Sequence, residues 1–146
     1  MSSVVIKRFE NRSHRDQVIA LWRGIFVDPT AHNRPDLAID KKIEINDDLF
    51  FVAMIDELLV GTTMAGYDGH RGWIYSVAVH PSYRNQGIGS ALVSYAERAL
   101  ASKGCMKVNL QILQSNKSTS VFYESLGYAV EPRVSMGKLI HENIPP

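Results

Sequence analysis

One cysteine, Cys105, is all the thiol this sequence holds. A lone cysteine can build neither an internal disulfide nor a cysteine-based metal cage, so a reducing, cytoplasmic location is expected. Surplus charge is missing too. The formal net charge is +1, which excludes the global basic field of a nucleic-acid binder. Every apolar run stops short of the ~20 residues that span a bilayer. The opening Met1-Ser2-Ser3-Val4-Val5-Ile6-Lys7 meets charge too early for a signal peptide, so no membrane partner is expected. The histidines (His14, His32, His70, His80, His141) show no His-x-x-x-His or His-x-His spacing, and no metal is expected. Repeats, low-complexity tracts and linkers are absent, and Pro145-Pro146 reads as a tail. What remains suits one globular domain, residues 1–146, large enough to enclose one core.

The chain reads as alternating strands and helices. Val4 to Phe9 is a short apolar strand. Ser13 and Asp16 form a start close to a capping box, followed by Val18, Ile19, Leu21, Trp22, Ile25 and Phe26 at helical spacing. Asp28-Pro29 ends that helix, and Thr30 to Arg34 is a polar loop. Pro35 starts a second helix through Leu37, Ile39 and Ile43, with Lys41-Lys42 on a solvated face. Leu49 to Ile55 and Leu58 to Tyr67 form a hairpin across Asp56-Glu57, and Trp73 to Val79 continues the meander after the Asp68–Gly72 turn. A long helix runs from Gly87 to Gly104 with Ile88, Leu92, Tyr95, Ala96, Ala99 and Leu100 on one stripe. Lys107 to Ile112 reads as a strand and Ser118 to Leu126 as a helix ended by Gly127. Tyr128 to Val130 and Arg133 to Ile140 read as extended segments parted by Pro132.

The stretch that carries chemistry is the polar turn Ser82-Tyr83-Arg84-Asn85-Gln86-Gly87-Ile88-Gly89-Ser90 between the fourth strand and the long helix. The first N–H groups of a helix have no intrahelical partner, and the macrodipole adds partial positive charge there. Gly87 and Gly89 let an anion approach the backbone, and Arg84 adds a full charge, which together make a phosphate cradle. A Walker loop is excluded because no Gly-Lys pair follows. A dinucleotide fingerprint is excluded because Leu92 stands at its third glycine.

Arg84-x-x-Gly87-x-Gly89, directly after Val77-Ala78-Val79-His80-Pro81, resembles the Gln/Arg-x-x-Gly-x-Gly/Ala motif of the GNAT superfamily of acetyl-CoA-dependent N-acetyltransferases. The resemblance extends in element order from Val4 to about Ile140. Gly66-Tyr67-Asp68-Gly69-His70-Arg71-Gly72 is also similar to small bacterial members of the YpeA type. The resemblance implies an α/β fold: a mixed, mostly antiparallel sheet of about seven strands flanked by about four helices, with the fourth and fifth strands parallel and splayed. It implies that the amides of Asn85, Gln86, Gly87, Ile88, Gly89 and Ser90, beside Arg84, bind the pyrophosphate of coenzyme A. Val77, Ala78 and Val79 would offer a free strand edge to the pantetheine arm. Asn116 matches a pantetheine-contact position, although asparagine is also a favoured helix cap. Phe122-Tyr123-Glu124-Ser125-Leu126-Gly127-Tyr128 matches Phe-Tyr-x-x-x-Gly-Phe/Tyr, whose tyrosine is the usual general acid; this makes Tyr123 a cofactor contact and the acid, with Phe122 the core residue. Trp22, Phe26 and the Thr30 to Pro35 loop are candidate acceptor walls.

Acetyl transfer requires a neutral amine. At a pKa of ~10.4 only roughly one lysine-like amine in 10³ is free base at pH 7, so a base should help. Family members carry a glutamate near the start of the fourth strand, where this chain has Trp73-Ile74-Tyr75-Ser76 and no carboxylate. Tyr75, Asp68, His70 and Glu44 are the candidates, acting through water. A tyrosine of pKa ~10 keeps its proton at pH 7 and can donate to the leaving thiolate. The expected reaction is direct attack in a ternary complex, on a small-molecule or peptide amine. The other readings are an acyl-CoA-binding regulatory module without turnover and a protein N-terminal or lysine acetyltransferase. A homodimer is possible through the last strand edge.

Overall fold

The computed structural model describes residues 3–26 and 31–140. Thr30, Asp28-Pro29, His141 and the Pro145-Pro146 tail lie outside them. The chain gathers into two compact units, Met1–Leu110 and Gln111–Pro146.

In the first unit, five strands form one sheet in the order of the chain: β1 (Val5–Arg8), β2 (Phe50–Ile55), β3 (Leu58–Tyr67), β4 (Gly72–Val79) and β5 (Val108–Asn109). The first three pairings are antiparallel and β4 pairs β5 in parallel. Period-two alternation in β2 decides which helices cover which face. Phe50, Val52 and Met54 pack with Val18, Leu21 and Trp22 of α1 (Asn11–Ile25) and Ile39 of α2 (Pro35–Ile45). Ala53 packs on the other side with Val60 and with Ile88 and Leu92 of α3 (Ile88–Ser102). Gly61 admits α3 close to the sheet: a Cβ there would lie 2.9 Å from Leu92 Cδ1 and 3.0 Å from the Ala78 carbonyl oxygen.

Two one-residue bulges interrupt the ladder. One lies between Ala53 and Met54 of β2 and their partners. The other is in β4, where Thr62 opposes Ala78 but Met64 opposes Tyr75, so β4 carries an extra residue. Ser76 sits there with φ +52°, in the left-handed region. The extra residue inverts the alternation of β4. Gly72 lies under Leu100 of α3, yet Ala78 packs into the α1 side and Val79 into the α3 side.

The second unit contains α4 (Lys117–Ser125). Asn116 Oδ1 caps it by accepting from the Thr119 N–H at 3.3 Å, and Gly127 (φ +96°) turns the chain away at its end.

Three expectations are corrected. Among the described residues the sheet has five strands rather than about seven. Lys107 to Ile112 contributes only Val108–Asn109, and Tyr128 to Val130 and Arg133 to Ile140 join no ladder, leaving Val130, Val134 and Met136 exposed. Alternating apolar residues have strand propensity, but a strand needs a paired neighbour. The first helix begins at Asn11 rather than at Ser13, with Glu10 as its cap residue. Lys42 is buried rather than solvated, because it falls three residues after Ile39 on the face that meets the sheet.

Candidate active site

The site is built at the far end of β4. Parallel pairing with β5 covers only Gly72 and Trp73, so β4 runs on from Ile74 to Val79 without a β5 partner. The His80 N–H donates to the Val60 carbonyl at 2.8 Å on the β3 side. By alternation, the backbone groups of Val77 and Val79 face the open side. That edge is a row of peptide donors and acceptors available to an extended ligand.

Pro81 ends the strand, and a 3-10 turn (Pro81–Tyr83) follows. His80 is a turn residue, its Nδ1 accepting from the Ser82 N–H at 3.1 Å. Arg84 folds back so that its Nε donates to the Val79 carbonyl at 3.2 Å. Asn85 (φ +63°) and Gly87 (φ +80°) both adopt left-handed backbone, which curls successive N–H groups into a concave nest. The first intrahelical bond of α3 runs from the Ala91 N–H to the Gly87 carbonyl (3.0 Å), so the N–H groups of Ile88, Gly89 and Ser90 have no acceptor within the helix. Nothing lies within 4 Å of the position a Gly87 Cβ would take. Ile88, buried against Ala53, Val60 and Leu92, fixes where the nest sits. An anion with closely spaced oxygens, such as a diphosphate, fits this donor set and its positive end of helix dipole.

Tyr75 lies on β4 ahead of the bulge and is exposed, with the Lys42 ammonium 5.6 Å from its ring centroid. Lys42 Nζ donates to Asp47 Oδ2 (2.9 Å) and to the Ala65 carbonyl. Two of the other base candidates are occupied differently. Asp68 Oδ1 accepts from the His70 and Arg71 N–H groups at 2.7 Å each, and these bonds hold its carboxyl below the usual range. Asp68 is therefore a turn acceptor and a poor base. Glu44 forms a solvated pair with Lys41 at 3.6 Å.

In the second unit, Tyr123 is the buried residue of α4 and Phe122 only half-buried, the reverse of the expected order. Thr119, Tyr123 and Leu126 fall on one stripe at i, i+4, i+7, which takes Tyr123 inward. Burial pushes its hydroxyl up to about 12. Its ring meets Phe122 and Tyr128 edge-on, with centroids 4.9 and 5.6 Å away. Asn116 uses Oδ1 for its cap, so a ligand contact would fall to its amide nitrogen.

Trp22, a candidate acceptor wall, is core, and Phe26 beside it is exposed. Cys105 is half-buried, its thiol donating to the Lys107 carbonyl at 3.2 Å. Among the described residues no group of three or more His, Cys, Asp or Glu could hold a metal, and no helix is long and apolar enough to cross a membrane. Sequence reasoning missed the β4 bulge, although three successive apolar residues at Val77-Ala78-Val79 break the alternation and hint at it.

The profile of the Acetyltransferase (GNAT) family matches residues 15–128. An acetyltransferase of Sodalis glossinidius is 40% identical over 130 residues, covering 88% of this chain and 90% of its own. One from Yersinia pestis (strain Pestoides F) is 37% identical over 123 residues, covering 84% and 86%. The PaiA N-acetyltransferase of Thermoplasma acidophilum, solved in complex with coenzyme A, shares the fold with a TM-score of 0.77 at 18% identity, covering 90% of this chain and 93% of its own.

Proposed function

Because this chain belongs to the GNAT acetyltransferase family and is an acetyl-transferring enzyme, we propose that it moves the acetyl group of acetyl-CoA to a primary amine by direct attack in a ternary complex. Residues 1–146 act as one acetyltransferase domain, a reading supported by a family match that runs across the 110/111 boundary. We place the enzyme in the cytoplasm, where a half-buried lone thiol stays reduced.

The observation that carries the proposal is the juxtaposition, on one strand–turn–helix, of an unpaired β4 edge with the N–H nest opening α3. Arg84 and the amides of 85–90 hold the diphosphate. The open-side groups of Val77 and the N–H of Val79, whose carbonyl already accepts from Arg84, pair with the amides of the pantetheine arm, and Asn116 adds a contact through its amide nitrogen. Acetyl-CoA, when bound, supplies the thioester. A β4 N–H polarises its carbonyl as an oxyanion donor would. Tyr75 guides the proton of the incoming amine toward water. Tyr123 is the general acid. Burial raises its pKa to about 12, so the hydroxyl holds its proton at neutral pH and can donate to the developing thiolate.

Thiol release from acetyl-CoA, measured across polyamines, amino acids, aminoglycosides and peptides, tests the reading. The expected result is turnover with at least one primary amine. Gly89→Asp, which brings a side chain and a negative charge to the nest, should weaken coenzyme A binding by about a hundredfold. Unchanged affinity in a calorimetric titration would overturn the assigned site.

A further inference from the structure

Trp22 lies on α1, fully inside the apolar cluster, yet its indole N–H needs an acceptor there. It donates to Thr62 Oγ1 at 2.8 Å, and the Thr62 hydroxyl donates in turn to the Ser76 carbonyl at 2.9 Å. Trp22 is 2% and Thr62 0% exposed, so both polar groups were taken out of water to make this relay. Valine would fill nearly the same space as threonine without that desolvation. The relay ends at the residue that most needs holding. A bulge leaves a residue without its ladder partner, and a non-glycine residue at φ +52° carries local strain. Thr62 supplies the Ser76 carbonyl with a partner and ties the bulge to both β3 and α1.

We propose that Trp22 and Thr62 are positioning residues for acetyl transfer: by pinning Ser76, their relay sets the direction in which the open edge Val77–Val79 presents its N–H groups to the thioester. This rests on the function proposed above. The diphosphate nest lies on the far side of the Pro81–Tyr83 turn and is anchored separately by Ile88. Loss of the relay should therefore damage turnover more than coenzyme affinity.

The test uses the full-length protein with Thr62→Val, Thr62→Ser and Trp22→Phe. Three readouts are compared: kcat and KM for acetyl-CoA with the best amine, coenzyme A affinity by calorimetry, and amide hydrogen exchange at Ala78 and His80 on the β3 side. Thr62→Val should lower kcat by about tenfold or more, with KM and affinity within about threefold. Its Ala78 and His80 amides should exchange about tenfold faster. Thr62→Ser should restore all three. Trp22→Phe, which leaves the Thr62–Ser76 bond but frees the hydroxyl, should shift kcat and exchange the same way by about threefold, and it decides the matter should Thr62→Val fail to fold. Wild-type kcat in Thr62→Val, failure of Thr62→Ser to rescue, or losses in affinity that match those in kcat would overturn the proposal. If the wild-type protein transfers acetyl to no amine, the functional reading falls by itself. Exchange unchanged by Thr62→Val would then show separately that the relay does not hold the bulge.

Discussion

The backbone N–H of Glu10 donates to Nδ1 of His14 across 2.9 Å, so a histidine ring one turn into α1 satisfies the helix's cap residue. The bond needs an unprotonated Nδ1. Burial, and then the nearby Lys7 charge, hold the His14 pKa below 6.5, with Glu10 opposing them. The unfolded chain therefore binds the proton more readily than the folded one. Stability should be full above pH 6.5 and fall as pH drops through the lower folded value. Urea denaturation at pH 7.5 and 5.5 checks this, and His14→Gln should flatten the difference.

Lys42 and Lys41 are adjacent but should differ sharply in what their replacement costs. Lys42→Met removes a buried ammonium shared by Asp47 and the Ala65 carbonyl, leaving both short of a partner. The expected loss is about 2–3 kcal/mol. Lys41→Met, on the exposed side of α2, should stay within about 0.5 kcal/mol. Chemical denaturation of the two variants measures the contrast.

Glycine-to-alanine exchange should change sign with position. At Gly61 the new methyl meets Leu92 and the Ala78 carbonyl, which is backbone and cannot swing aside; destabilisation of about 1–3 kcal/mol is expected. At Gly24, in the last turn of α1, nothing lies within 4 Å, and Gly24→Ala should stabilise by about 0.5–1 kcal/mol. Thermal melts of the pair report both signs.

Tyr123→Phe should lower turnover by about 10- to 10³-fold with little change in coenzyme affinity. An unchanged rate would remove Tyr123 from the mechanism. Its ionisation offers a second readout. Since its folded pKa is raised to about 12 from 10.0, the associated stability is complete below pH 10 and lost as pH rises toward 12. Absorbance titration should show one phenol ionising near that value, absent from Tyr123→Phe.

Legibility in the sequence followed distance along the chain. The nest was readable because Arg84, Gly87 and Gly89 sit within one turn and directly after a strand-ending Pro81. β1 to β4 and α3 were readable from their apolar periods. The relay was not, because Trp22 meets Thr62 forty residues away and Thr62 meets Ser76 fourteen away. Lys42 looked like a surface charge because neither Asp47 nor the Ala65 carbonyl can be placed against it before the hairpin is folded. Val134 and Met136 alternate as strand residues do, but no local pattern supplies the neighbour a ladder requires. Tyr123 was found by its motif, whereas its burial in preference to Phe122 depends on how α4 is turned.

The odd residue in β4 has a consequence for how this strand tolerates insertion and deletion. Removing Ser76 would leave Thr63 facing Val77 alone, with Tyr75 still opposite Met64 and Ala78 still opposite Thr62, so both halves of the strand would keep their present faces. What would go is the left-handed kink and the carbonyl that accepts from the Thr62 hydroxyl. One extra peptide unit thus bends this strand without changing which interior each half serves.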